Sequence, residues 1–179
     1  MILDWGVHLL DQLLLLFPGV PIRSVYGACT NVTNQLVDDG FRAEIVFENG
    51  VSALVEVGTS NFISLPRWYV LGTNGTAVVE DWERNGRIVR ASGVDEKDVV
   101  PVITAAGLTK TMAPRREDSI YTEALPEVKS DVREFYENVM AVLEGREESR
   151  IRLCEAARVM RLMEAIQESA ETGKVIAFE

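Results

Sequence analysis

Two side chains near the start of the chain, Asp4 and His8, have the types and the spacing of an acid–base pair. Four residues make about one turn of an α-helix, so both side chains would lie on one helix face. A carboxylate in that position can hydrogen-bond one imidazole nitrogen, fix the tautomer of the ring and leave the other nitrogen to accept a proton. The pair therefore predicts a base that takes the proton of a hydroxyl group.

The helix that would carry this pair is otherwise strongly apolar. Residues 2–17 are rich in leucine, and Asp11 and Gln12 are the other polar side chains in them. At about 100° per residue, these two fall with Asp4 and His8 on one stripe about 100° wide. A plainer interpretation stays open, in which Asp4 is favoured by the helix dipole and His8 is a half-exposed residue satisfied by its neighbours.

Three stretches place further motifs along the chain. Residues 1–12 contain Asp-x-x-x-His, residues 67–79 contain a Gly-Thr-Asn-Gly turn between two apolar runs, and residues 157–174 form an amphipathic segment that ends in Thr-Gly-Lys. In this order they resemble the C-terminal domain of the Gfo/Idh/MocA oxidoreductases, the glucose–fructose oxidoreductase and inositol dehydrogenase family. The resemblance covers nearly the whole chain.

The resemblance implies an N-terminal Rossmann domain that binds NAD or NADP, and this sequence contains no such domain. Gly-x-Gly-x-x-Gly does not occur, and the turn at residues 72–75 has another spacing and is followed by a strand pattern. The family's catalytic lysine, in a Glu-Lys-Pro motif of that domain, has no counterpart either. We expect residues 1–179 to be a single C-terminal domain for substrate binding and oligomerisation, without cofactor-binding residues and inactive alone.

The resemblance also implies a reaction in which a hydroxyl of a sugar, polyol or related alcohol is oxidised by NAD or NADP. His8 would accept the hydroxyl proton and Asp4 would orient it, although some family members have tyrosine at the position of His8. Trp5, Asp11, Gln12 and Arg67 are candidate substrate-binding residues. Alternatives stay open: Trp5 as a core wedge, Arg67 as a solvated side chain, and Asp11 and Gln12 as ordinary surface residues.

Two other function classes compete with a dehydrogenase. One is a stand-alone ligand-binding or oligomerisation module without catalytic activity. The other is a hydrolase, but the sequence lacks Gly-x-Ser-x-Gly and any reactive-cysteine context. Retention of both Asp4 and His8 favours descent from an enzyme.

Composition excludes several partners. The 179 residues carry 18 basic and 28 acidic side chains, a net charge of −10 that would repel a phosphate backbone and disfavours nucleic acid. Cys29 and Cys154 form neither a disulfide framework nor a zinc-binding spacing, so we expect no metal and a reducing, cytoplasmic location. The apolar run at residues 7–17 is too short to span a bilayer or serve as a signal peptide.

The remaining patterns predict an α+β fold. Period-2 alternation and Asn-Gly turns predict strands at residues 22–30, 41–47, 51–59, 68–72, 77–82 and 87–91. A long loop with room for a short strand should follow at about 104–129, then helices at 131–144 and 151–172 and a short edge strand at 175–178. Helical spacing gives each of these helices an apolar face, made of Val132, Phe135, Val139 and Val142 in the first and of Ala156, Val159, Met160, Met163 and Ile166 in the second. Ser130 is the predicted N-cap of the first of these helices, and Gly145 and Gly173 should end the two. These elements predict an open, predominantly antiparallel or mixed β-sheet with helices packed on one face.

Such a sheet leaves its other face uncovered, and an uncovered face is a site for association. Family members resembling this chain pair those faces into dimers or tetramers. The alternation places Arg42, Glu44 and Glu56 on that face beside Val46 and Leu54, so it is half polar. We predict a homodimer or tetramer through the sheet.

Overall fold

Alternating apolar residues build two separate sheets in this chain. The computed structural model describes residues 1–92, 102–105, 107–109 and 117–178. The chain forms two compact units, the first made of Met1–Phe62 with Asp131–Glu179 and the second of Ile63–Ser130. The helices of the described residues are α1 (Val7–Leu16), α2 (Arg133–Leu143) and α3 (Leu153–Thr172), and a π-helical turn, Ile2–Gly6, precedes α1. The strands are β1 (Ile22–Thr30), β2 (Gly40–Phe47), β3 (Ser52–Gly58), β4 (Trp68–Gly72), β5 (Gly75–Val79), β6 (Gly86–Ala91), β7 (Val102–Thr104), β8 (Gly107–Thr109), β9 (Ile120–Ala124) and β10 (Ile176–Ala177).

The first unit is an antiparallel sheet with helices on one face. Its strands lie in the order β10-β1-β2-β3, and β10 is the predicted edge strand. In β2 every second residue from Phe41 to Phe47 is buried, as the alternation predicted. Leucines of α1 and apolar residues of α3 complete one core with that face, and the fully buried members include Leu10, Leu162 and Ile166. The predicted α+β fold, an open antiparallel sheet with helices on one face, is therefore confirmed.

The second unit contains the strands that the Asn-Gly turns predicted. β4, β5, β6 and β9 form an antiparallel sheet in that order, and β7 pairs with β8 as a short hairpin. Strands β8 and β9 lie within the loop predicted at about 104–129, of which residues 106 and 110–116 are outside the described residues. Gly75 belongs to β5 and not to the turn, because it pairs with Gly72 across a two-residue connection.

The first of the two C-terminal helices does not bury its predicted apolar face, whereas the second buries most of its own. The first begins at Arg133 and not at 131, and the N–H of Arg133 donates to Asp131 Oδ1 (3.0 Å), so Asp131 occupies the capping role predicted for Ser130. Its buried residues are Asn138 and Ala141, while Phe135 and Val139 of the predicted apolar face are exposed. In α3, Val159, Met163 and Ile166 are buried as predicted and Leu162 and Ala165 join them, whereas Ala156 and Met160 are exposed. Gly145 and Gly173 follow the two helices with positive φ, as predicted.

Candidate active site on the first helix

The helix that carries the candidate pair begins with a wide turn. The N–H of Gly6 donates to the carbonyl oxygen of Met1 five residues earlier (2.9 Å), which is the π-helical pattern, and the N–H of Asp4 shares that carbonyl (3.2 Å). Gly6 packs against the ring of Phe41 so closely that an added Cβ would lie 3.1 Å from two ring carbons. π-Turns are uncommon and occur frequently at functional sites.

The structure brings Asp4, Trp5 and His8 together on the exposed side of this helix. All three side chains are accessible to solvent, while Ile2, Leu10 and Leu13 face the core. The Trp5 and His8 rings meet edge to face, with their centroids 6.4 Å apart. Among the described residues, no hydrogen bond or ion pair joins Asp4 to His8. The arrangement is therefore an open acidic–imidazole surface with an aromatic ring beside it, and the role of each residue stays a prediction.

The other predicted substrate-binding residues divide between the two units. Asp11 is exposed and Gln12 half-buried on α1, one turn further along the side of the helix that carries His8. Arg67 belongs to the second unit and is half-buried, with its guanidinium over the Trp82 ring at 3.8 Å from the centroid. A role for Arg67 in substrate binding stays a prediction.

Sequence reasoning missed Asp38, which holds the start of the site helix. The carboxylate Oδ2 of Asp38 accepts a hydrogen bond from the Ile2 N–H (2.8 Å) and lies 2.7 Å from the nitrogen of Met1. The Met1 nitrogen also donates to the Asp38 carbonyl oxygen (3.2 Å). Burial raises the pKa of the Asp38 carboxyl, but these hydrogen bonds outweigh burial and hold that pKa below its usual value. The ionised carboxylate thus satisfies N–H groups that the helix itself leaves unpaired.

The neighbouring Asp39 fixes the loop from which Asp38 extends. Asp39 accepts hydrogen bonds from the Thr33 N–H, the Thr33 and Thr30 hydroxyls (3.0 and 3.2 Å) and the Asn34 N–H (3.3 Å). The backbone N–H donors at Thr33 and Val32 and the two hydroxyls hold the pKa of this carboxyl far below its usual range. Only 7% of Asp39 is exposed. The β1–β2 connection is therefore an ordered element and not a slack linker.

A local signal for this loop was present in the sequence. Residues 30–40 read Thr-Asn-Val-Thr-Asn-Gln-Leu-Val-Asp-Asp-Gly, a concentration of side chains that hydrogen-bond nearby backbone. That signal predicts a structured turn around Asp39. The contact between Asp38 and Ile2 joins residues 36 apart, and no local pattern predicts it.

A shallow depression lies beside α2. It contains several arginines, but the three guanidinium groups that line it are engaged in ion pairs. These pairs are Arg133 with Asp131, Arg146 with Glu144, and Arg150 with Glu134. Buried Asn138 beneath it is satisfied by Glu147, Glu148 and the Arg150 N–H. The depression therefore has the features of a structural junction.

The described ranges offer no alternative centre of chemistry. Over residues 1–92, 102–105, 107–109 and 117–178, no group of three or more His, Cys, Asp or Glu residues could hold a metal ion. The glycine turn at residues 72–75 is a hairpin between two strands and lacks the strand–turn–helix geometry that binds a dinucleotide pyrophosphate. None of the helices in the described part of the chain has the length and apolarity needed to cross a membrane.

Comparison with known proteins places the chain among oxidoreductases. The sequence profile described as oxidoreductase family, C-terminal alpha/beta domain, matches residues 1–178. No curated protein matches the chain. Many solved structures do, and one of them is a NAD-binding protein from Listeria innocua with 44% sequence identity and a TM-score of 0.88. The match covers 99% of this chain and 51% of the Listeria protein.

Two more distant matches share the fold. The WlbA dehydrogenase from Bordetella pertussis, solved with NADH and UDP-GlcNAcA, is 18% identical with a TM-score of 0.62, over 99% of this chain and 44% of its own. UDP-N-acetylglucosamine 3-dehydrogenase GnnA from Acidithiobacillus ferrooxidans is 16% identical with a TM-score of 0.66, over 93% and 47%. This chain thus spans about half the length of the solved proteins that it matches.

Proposed function

The chain belongs to the Gfo/Idh/MocA oxidoreductase family, as its C-terminal alpha/beta domain, and from this premise we propose that it forms the substrate-binding half of an NAD- or NADP-dependent dehydrogenase. The substrate would be a hydroxyl of a sugar, polyol or related alcohol. The observation that carries the proposal is the exposed group of Asp4, Trp5 and His8 on the first helix. These are acid–base and ring-stacking groups placed where a ligand can reach them.

His8 is the proposed proton acceptor. Its imidazole is exposed, so one ring nitrogen can receive the proton of a substrate hydroxyl as the carbinol carbon becomes a carbonyl. Asp4 is one turn away, and side chains four apart on a helix have Cβ atoms about 5–6 Å from each other. A rotamer change of either side chain can therefore bring the carboxylate onto the second ring nitrogen, where it fixes the tautomer and stabilises the imidazolium.

The cofactor is proposed to bind mainly to a domain outside this chain. The nicotinamide, when bound, would accept the hydride that leaves the carbinol carbon while the proton goes to His8. The chain's own contribution is to present the hydroxyl and hold the proton. The Listeria protein binds NAD, and the Bordetella protein was solved with NADH, which supports this choice of cofactor.

Trp5 is the proposed platform for the substrate ring. Its indole is 42% exposed and lies beside His8, so one face of a sugar could pack against it while a hydroxyl points to the imidazole. The two sugar-nucleotide dehydrogenases that share the fold support a carbohydrate substrate. Asp11 and Gln12, further along the helix, are proposed to contact more distant hydroxyls.

The decisive experiment replaces His8 in the enzyme that combines this domain with its dinucleotide-binding domain. We expect His8→Ala to lower turnover by about 10²- to 10⁴-fold with little change in cofactor affinity, because a general base contributes that much to a rate. Nicotinamide absorbance measured with a panel of sugars and polyols, beside direct NADH and NADPH titration, separates the two effects.

The control for this substitution is Glu164→Gln, an exposed change on α3 that should leave turnover as it is. Turnover that survives His8→Ala would remove His8 from the reaction. If the two-domain protein reduces no cofactor with any alcohol, the domain would be a ligand-binding or oligomerisation module without catalytic activity.

A further inference from the structure

The start of the helix that carries the candidate site is hydrogen-bonded to Asp38 in the β1–β2 connection, and Asp38 is not one of the residues proposed to contact the substrate. We propose that Asp38 is a positioning residue for the candidate base: its carboxylate fixes the wide turn that carries Asp4 and Trp5, and through that turn sets the place of His8. This inference rests on the proposed function, since it assumes that His8 acts on a substrate.

The first step of the argument is the contact between Asp38 and the helix start. The Ile2 N–H and the Met1 nitrogen both point at Asp38 Oδ2, at 2.8 and 2.7 Å. In a chain that continues before Met1, its nitrogen is a backbone amide with a single N–H, and the hydrogen bond from Ile2 carries the argument. Asp38 therefore acts on the first turn from outside the helix, as a capping carboxylate delivered by another part of the chain.

The second step is that Asp38 cannot easily move. Asp39 beside it is held by four hydrogen bonds to its carboxylate, and its N–H donates to the Thr30 carbonyl oxygen (2.9 Å). The Asp39 carbonyl oxygen accepts from the Thr59 hydroxyl (2.7 Å) and N–H (3.3 Å), which ties the loop to the end of β3. The β1–β2 loop therefore fixes the start of the helix relative to the sheet.

The third step is that the other end of the turn is fixed as well. Ile2 is 4% exposed within the core, and Gly6 packs against the Phe41 ring, where an added Cβ would lie 3.1 Å from two ring carbons. Asp4 and Trp5 lie between these two points and are exposed. Their position therefore depends on the short segment that Asp38 and Phe41 hold at either end.

The consequence for catalysis follows from the sensitivity of proton transfer to geometry. A misplacement of about 1 Å can cost about 100-fold in rate. Removing the Asp38 carboxylate frees the Ile2 N–H, leaves the Met1 nitrogen only the Asp38 carbonyl oxygen, and allows the π-turn to relax to another register. We expect Asp38→Ala to lower kcat by roughly 10- to 100-fold while KM for the cofactor stays within about twofold, because the cofactor is held elsewhere.

The experiment has a structural arm on the 179-residue chain and a kinetic arm on the two-domain enzyme. Amide hydrogen exchange should show faster exchange at residues 2–8 in Asp38→Ala, and near-normal exchange in Asp38→Asn, whose amide oxygen still accepts from Ile2. The kinetic arm compares kcat and KM for both variants and should show rescue by asparagine. Asp81→Ala is the matched control, because Asp81 accepts from the Asn85 N–H in a turn of the second unit (3.0 Å).

The outcomes are distinct. The positioning role would be established if Asp38→Ala gives both faster exchange at residues 2–8 and a loss of kcat. Asp38→Asn must then restore kcat, and Asp81→Ala must not reproduce the loss. Unchanged exchange, or faster exchange with wild-type kcat while His8→Ala is inactive, would overturn the role of Asp38 and leave the proposed function standing. Full turnover in His8→Ala would overturn both.

Discussion

At the scale of single residues, the carboxylates of the β1–β2 loop are more constrained than those of the candidate pair. The Asp39 carboxylate accepts hydrogen bonds from the Thr30 and Thr33 hydroxyls and from the Asn34 N–H. The Asp38 carboxylate accepts one from the Ile2 N–H at the start of the helix. Asp4 is exposed, as a group that must meet a substrate has to be. The candidate site therefore combines fixed supporting carboxylates with an exposed surface that carries the proposed acid–base groups.

A pH dependence of stability follows from Asp39. Its pKa is lower in the folded chain than the ordinary aspartate value of about 3.9. Its contribution to stability is therefore present above about pH 4 and is lost as pH falls through the lower folded pKa. Asp38, whose pKa is also lowered, contributes in the same direction. We expect the free energy of unfolding to fall steadily as the pH drops from about 5 to about 2.

Substitution isolates the part that Asp39 contributes. Asp39→Asn should reduce stability at pH 7 and should flatten the decline at acid pH, because the amide has no proton to gain. Urea unfolding at pH 7, 5 and 3 measures both effects, with Glu164→Gln as the control. A decline in Asp39→Asn as steep as in the original chain would contradict the assignment.

At the scale of elements, the first unit depends on how closely α3 approaches β1. The Gly27 N–H donates to the Ser169 hydroxyl (2.9 Å), and that hydroxyl donates to the Lys174 carbonyl oxygen (2.5 Å). An added Cβ at Gly27 would lie 2.6 Å from the Ile166 carbonyl oxygen. Strand and helix backbones are thus in direct contact here, and the helix must move if Gly27 acquires a side chain.

We expect Gly27→Ala to destabilise the chain by about 1–3 kcal/mol, the usual cost of overpacking a filled core. The matched control is Gly58→Ala in β3, where the nearest atom to an added Cβ is the Asn61 side-chain oxygen at 3.5 Å. Urea unfolding of the two variants makes the comparison. If the two variants have the same free energy of unfolding, α3 can move away from β1 without destabilising the chain.

The elements also separate what the sequence predicts from what it does not. Strand β1, the Asn49-Gly50 turn and the end of α3 at Gly173 follow from local alternation and turn chemistry, and all were predicted within a residue or two. The π-turn depends on the packing of Gly6 against Phe41. The Asp38 contact is a hydrogen bond between residues 36 apart in the sequence. Periodicity carries no information about such contacts.

The candidate site shows the same division. The placement of Asp4 and His8 on one side of a helix could be read from their spacing, whereas the position of Trp5 against His8 could not. Arg67 was selected from its place at a strand end, but its contact with Trp82 is a tertiary feature outside the reach of a local pattern. What the sequence predicts is thus which element bears the chemistry, and what it leaves open is the surroundings of each side chain.

At the scale of the whole molecule, the open face of the first sheet is the surface that the fold leaves available for self-association. Its exposed residues alternate with the core as predicted, and Arg42 lies opposite Glu56 while Glu44 lies opposite Leu54 across β2 and β3. Leu54 is 65% exposed on β3, the edge strand of this sheet. A twofold pairing of two such faces would set each arginine and glutamate near its counterparts and would bury both leucines.

Two opposing terms decide whether that homodimer forms. Burial of Leu54 and its neighbours favours association, whereas each copy carries a net charge of −10 and repels the other. Salt shortens the range of the repulsion to about 8 Å at 0.15 M and leaves the apolar contact in place. The predicted dimer should therefore strengthen as salt is raised from about 0.01 to about 0.15 M.

Light scattering tests this prediction. At protein concentrations on the order of tens of micromolar, the measured mass should be twice the 19.9 kDa of one chain. Leu54→Arg should return the mass to that of one chain, while Leu143→Arg, at a leucine on α2 that is also exposed, should not. A single-chain mass at both salt concentrations would exclude a dimer through this face.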